Sequence, residues 1–149
     1  MTVRKIAIAG LAALCLLPAA ASARDTHYKL PIQKALAMPE AKSQLDSTIR
    51  YYFGDQEHPA VAKNFGEYAT NKKTNALNKE DEEACRWVFL SAMLELQERA
   101  HKLGADGVIN IRSNYRNNEF SSKTRYECGA GFLMAGVALK ADFVKFADK

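Results

Sequence analysis

The stretch from Glu80 to Leu103 constrains this chain more than any other. It opens on four acids, Glu80, Asp81, Glu82 and Glu83, and closes on His101 and Lys102 just before Gly104. Negative charge at the start and positive charge at the end both suit a helix dipole, and glycine is the residue that most readily turns left-handed after a last turn. Asn78 or Asp81 is the expected cap. At about 100° per residue, Cys85, Val88, Phe89, Ala92, Met93, Leu96, Ala100 and Leu103 share one face, which must be buried. Trp87, Leu90 and Leu94 fall on the opposite side. A helix lying on a single sheet leaves that side polar, so something else covers it: either the segment around Ile32 and Leu36, or a second subunit. An aromatic with two leucines is the composition of an association surface.

Strands are the natural partners of such a helix. Ser47 to Phe53 is rich in β-branched and aromatic residues and stops at Gly54-Asp55, and Asn64 to Thr70 reads as a second strand, the two forming a hairpin. Asn71 to Lys79 has no apolar period and is expected to be an exposed connection. From Gly107 to Tyr115 the residues alternate, with Ile109, Ile111 and Tyr115 on one face and Asn110, Arg112 and Asn114 on the other. A polar hairpin loop from Arg116 to Lys123 leads to Thr124 to Leu139, read as one long apolar strand. Its Gly129, Gly131 and Gly136 mark a bulge, a bend or a close backbone approach. The expected fold is α+β in two layers: one long helix packed on a small, mainly antiparallel sheet in ββαββ order.

Ahead of this lies Arg4-Lys5, an apolar run from Ile6 to Leu17, Pro18, and Ala21-Ser22-Ala23. That is the three-part pattern of a signal peptide, and the apolar run is shorter than the ~20 residues that span a bilayer. The expected organisation is a signal peptide at 1–23, a lead-in at 24–46 and a single domain at 47–149. The expected address is periplasmic or secreted, with no membrane span after cleavage. Two of the 21 basic residues, Arg4 and Lys5, fall in the signal, leaving 19 against 17 acids, a balance that gives no case for a nucleic-acid partner. Cys15 follows the bulky Leu14, where lipid-modified precursors carry a small residue, and it leaves with the signal. Cys85 and Cys128 then remain as an even pair in a compartment where disulfides persist, and a bridge between them is the expectation, with two buried free thiols as the other reading.

Residues that carry chemistry are sparse. His27, His58 and His101 are far apart in sequence; His58 beside Asp55 and Glu57 is the best local cluster for a weak surface metal site, without an H-x-x-x-H or C-x-x-C pattern to support it. There is no G-x-S-x-G elbow, and Glu67, Asp106 and Glu127 read as solvated carboxylates at strand edges. The expectation is a protein without a cofactor and without enzymatic activity, whose work is done by a surface. Its partner would be another protein, a small ligand or further copies of the chain.

The run Leu103-Gly104-Ala105-Asp106-Gly107-Val108-Ile109, together with Ala135-Gly136-Val137-Ala138-Leu139, resembles the YbjQ-like family, mainly over residues 84–140. Its members are small α+β domains labelled heavy-metal-binding, and the RcsF-like envelope-stress lipoproteins have a related core and use disulfides in the periplasm. Phe65-Gly66-Glu67-Tyr68, Thr70 to Asn75, and Glu82-Glu83-Ala84-Cys85-Arg86-Trp87 resemble secreted proteobacterial proteins labelled excinuclease ATPase subunit. The resemblance implies a βαββ-type two-layer architecture, a ring-forming oligomer and metal binding. The excinuclease label does not fit the residues: there is no G-x-x-x-x-G-K-[ST] loop for phosphates and no cysteine tetrad for zinc, and export separates the chain from DNA. No metal-ligand motif carries over from the YbjQ-like family either.

Overall fold

In the computed structural model, which describes residues 23–147, the chain runs through ten elements. They are β1 (Thr26–Pro31), α1 (Ile32–Leu36), α2 (Pro39–Gln44), β2 (Arg50–Phe53), β3 (Val61–Asn75), α3 (Asp81–Leu103), β4 (Gly107–Tyr115), β5 (Asn118–Phe120), β6 (Arg125–Ala130) and β7 (Met134–Phe146). The expected signal peptide, with Cys15, lies outside the described residues except for Ala23. Among the described residues no helix is long and apolar enough to cross a membrane.

The long helix forms where its charges and period place it. Gly104 closes α3 at φ 70°, and its amide and that of Ala105 return to carbonyls of the last turn. Cys85, Val88, Phe89, Ala92, Met93, Leu96 and Ala100 are all buried, as the period requires. The start differs in detail. Glu80 occupies the cap position without a side-chain hydrogen bond, and Asp81, the first helical residue, gives its carboxylate to Arg24 and to the Tyr28 hydroxyl instead.

The two-layer ββαββ arrangement on a small antiparallel sheet is overturned. Seven strands form one mixed sheet in the order β1-β6-β7-β4-β2, with β3 added on β7 and β5 on β4. The segments read as a hairpin do not pair with each other. Instead β2 runs parallel to β4, Arg50 facing Gly107, while β3 runs antiparallel to β7 from Val61↔Phe146 to Asn75↔Met134. The polar stretch Asn71–Asn75, expected as a connection, continues β3, because its backbone groups find partners on β7. Part of the lead-in is itself a strand: β1 pairs with β6 from Thr26↔Ala130 to Pro31↔Arg125. The long apolar strand is two strands, β6 and β7, folded back at Gly131 to Leu133 with Ala130↔Ala135 as the first closing pair and Gly129↔Gly136 as the next.

One face of this sheet meets α3. Leu139, Ala141, Phe143, Val137, Tyr126 and Val108 join the helix residues in a single core cluster, with the Phe89 and Tyr126 rings 4.2 Å apart. α1 packs beside α3 and sends Ile32 and Ala35 into the same cluster. A smaller cluster of Ile109, Val144 and Phe146, with Tyr52 against it, occupies the other face.

The disulfide joins α3 to β6. Cys85 and Cys128 are bonded, with Cα atoms 5.9 Å apart and both side chains fully buried. The bridge spans a sequence separation of 43 residues. By the chain-entropy relation, closing a loop of that length stabilises the fold by about 4 kcal/mol. The double substitution Cys85→Ala and Cys128→Ala is therefore expected to lower the unfolding free energy obtained from urea titration by about 4 kcal/mol while leaving the far-ultraviolet dichroism of the folded state in place; an unchanged unfolding free energy would contradict it.

Candidate functional site

The turn between β6 and β7 is where this structure departs most from ordinary surface chemistry. Tight turns are usually built from Gly, Asn, Asp and Pro. Here Phe132 and Leu133 stand in it and Met134 opens β7 beside it, 71%, 57% and 47% exposed. The turn is held in place. The Gly131 amide donates to the Met134 carbonyl (2.8 Å), the Ala76 amide to the Leu133 carbonyl (2.8 Å), and the Arg24 guanidinium to the Gly131 carbonyl (3.0 Å). Exposure of three consecutive apolar side chains on a pinned turn is the signature of a contact surface.

The turn borders a cleft of about 550 Å³. Cys128 and Ala130 face the core, so by strand alternation Gly129 points the other way, and its partner Gly136 with it. The Tyr115 ring lies across these two glycines. A Cβ on Gly129 would sit 2.0 Å from the Tyr115 oxygen, so only glycine allows the ring to lie there; at Gly136 the same ring would be 3.7 Å away. Lys73, opposite Gly136 on β3, forms another wall, and Arg116 and Asp25 close the far side.

The walls are tied by a small polar network. The Tyr115 hydroxyl donates to Asp25 Oδ1 (3.2 Å), and Arg116 pairs with the same carboxylate. His27 stands edge-on to Tyr115 with centroids 4.9 Å apart, Nε2 3.2 Å from Asp25 and Nδ1 3.3 Å from Glu127. Burial works against ionisation of Asp25, but the His27 hydrogen bond and the Arg116 charge outweigh it and hold the carboxyl below its ordinary value. Burial, then the Asp25 charge, pushes the Tyr115 phenol up. Arg116 also carries backbone cost. It and Asn117 are the two left-handed residues (φ 51° and 61°) of the β4–β5 turn, a position that favours Gly, Asn or Asp and costs an arginine about 1 kcal/mol.

No protein family, curated protein or solved structure compared with this chain matches it.

The residues singled out in sequence fall elsewhere. Cys85 and Cys128 form the bridge. Of the apolar stripe on α3, Leu90 is 3% exposed, Leu94 is half-buried, and Trp87 keeps 36% of its surface. Leu90 is thus closed within the chain, while Trp87 stays open to solvent. The cluster at His58 does not assemble. His58 Nδ1 is 2.9 Å from the Pro59 carbonyl, its ring packs near Tyr52 and Phe146, and Asp55 faces Lys123. No group of three or more His, Cys, Asp or Glu side chains suited to a metal occurs among the described residues.

Two other polar regions are closed on themselves. A concavity of about 620 Å³ at the start of α3 is lined by Arg24, Tyr28, Asp81 and Arg86, and Arg24 and Tyr28 are both engaged by Asp81. On the sheet face away from α3, buried Arg112 pairs with Glu67 and Glu119, and Lys140 pairs with the same two acids. Hydrogen bonds from Arg112 and then Lys140 lower Glu119 from its ordinary 4.5 to about 2. A carboxylate whose folded value is depressed contributes stability that is complete above the unfolded value and is lost as pH falls toward the folded one. Urea midpoints measured between pH 7 and pH 2 should therefore show Glu119→Gln less stable than wild type at neutrality. The two should converge as pH falls from about 4.5 to about 2, and a constant gap across that range would contradict the assignment.

Proposed function

We propose that this chain is a non-enzymatic binding protein of an oxidising extracytoplasmic compartment, working through the cleft beside the β6–β7 turn. The observation that carries this reading is the pinned turn with Phe132, Leu133 and Met134 exposed, because the core is complete without them. The disulfide supports the compartment, since such bridges persist where the surroundings are oxidising. The volume of the cleft, about 550 Å³, lies in the range of small-molecule sites.

Of the cleft lining, Asp25 and Tyr115 suit a binding wall better than proton transfer. General acid–base work needs a group whose proton leaves near the working pH. Asp25 is shifted down and Tyr115 up, so the one stays ionised and the other protonated at neutrality. They give the cleft fixed walls and a fixed charge pattern.

The test is native mass spectrometry of the protein exported with its own N-terminal segment and purified from the envelope fraction of a bacterial host. A non-covalent small-molecule adduct is expected on wild type and not on Phe132→Ser/Leu133→Ser. Because both side chains are exposed, that variant should keep its melting temperature. A wild type that carries no adduct, or a variant that carries it equally well, would overturn the reading.

A further inference from the structure

Resting on that reading, we infer that the cleft takes a single-chain amphiphile with an anionic headgroup. Its apolar chain lies along Phe132 and Met134, and its headgroup lies between Lys73 and Arg116. Three observations assign these ends. The lining holds three cations, Arg24, Lys73 and Arg116, and one carboxylate, Asp25. Arg24 is held by Asp81 and Arg116 by Asp25, while Lys73 has no carboxylate partner among the described residues, so its ammonium is the one available to an incoming anion.

The second observation is the backbone of Arg116. Its left-handed conformation is one that Asn or Gly would take more easily, and the turn keeps an arginine there, its guanidinium set on the Asp25 carboxylate at the cleft wall. A strained residue kept at a site points to use of its side chain. The third is the turn itself, whose exposed apolar side chains border the same cleft and offer a path for a hydrocarbon chain but no partner for a polar body. A dianion or a sugar would leave Phe132 and Met134 wet, and an uncharged hydrocarbon would make no use of the exposed Lys73 ammonium, which is otherwise met by water.

The experiment is a titration of the ¹⁵N-labelled exported protein at neutral pH with octanoate, decanoate and dodecanoate below their micelle concentrations. 1-Decanol and decyltrimethylammonium serve as uncharged and cationic controls. Amide shifts are expected at Lys73, Arg116 and Phe132 to Gly136. Affinity should rise about fourfold for each added methylene, the effect of one buried CH₂ group. Decanol and the ammonium should bind at least tenfold more weakly than decanoate. Lys73→Glu should weaken decanoate about tenfold. Arg116→Asn should weaken it too while keeping or raising the melting temperature, which separates headgroup contact from loss of fold.

Equal affinity for decanoate, decanol and the ammonium, with shifts in the cleft, would overturn the anionic headgroup and leave the binding reading standing. Shifts elsewhere, or none, would overturn the amphiphile, and an adduct in native mass spectrometry would then still support the broader reading. Shifts of the same residues that depend on protein concentration without any probe would make the occupant a second copy of the chain and overturn the proposal.

Discussion

The pairing of β7 with three other strands is the constraint on which the rest of this structure depends. One edge of the strand carries β3 for almost its whole length, and the other is shared, with β6 at the beginning and β4 farther on. Most of its backbone groups are satisfied on both sides, and its alternate residues Val137, Leu139, Ala141 and Phe143 all enter the core under α3. A strand used in this way fixes the position of everything attached to it. The disulfide then fastens the first turns of α3 to β6, the strand that leaves β7 soonest.

That arrangement also makes the cleft. β6 and β7 pair only at Gly129↔Gly136 and Ala130↔Ala135; β6 keeps β1 along its other edge throughout, while β7 continues beside β4. The end of β4 brings Tyr115 across the two glycines, and the turn after β4 brings Arg116 to the rim. Four separate stretches of chain meet there, around residues 24, 73 and 115 and from 129 to 136. The polar network of Asp25, His27, Tyr115, Arg116 and Glu127 ties the start of β1 to β6 and to the end of β4, and the apolar side chains of the turn remain outside the core.

The long helix was legible in the residues because its signals are local: acids at one end, bases and Gly104 at the other, and a 3.6-residue period between them. The disulfide was legible for a related reason, since an even cysteine pair leaves one connectivity. What escaped was set by partners distant in sequence. Ser47 to Phe53 and Asn64 to Thr70 are good strand sequences, and nothing in them says that one will run parallel to β4 and the other antiparallel to β7. The polar end of β3 and the short β1 were missed because edge strands need little hydrophobicity when a neighbour supplies the hydrogen bonds. Phe132 to Met134 read as strand because the residues are apolar, although the glycines on either side were turn signals. An apolar triplet between glycines was the trace of the cleft in the sequence. Tyr115 and Lys73 carried no such trace, because their role exists only once β4 and β3 flank the hairpin.

The measurement that tests this account most directly is a crystal structure of the exported protein grown with decanoate. The carboxylate is expected within hydrogen-bond reach of Lys73 Nζ and the hydrocarbon chain against Phe132 and Met134, with β7 and the Tyr115 ring where they stand without it. A ligand bound elsewhere, or a cleft filled by the protein's own side chains with decanoate at saturating concentration, would contradict it.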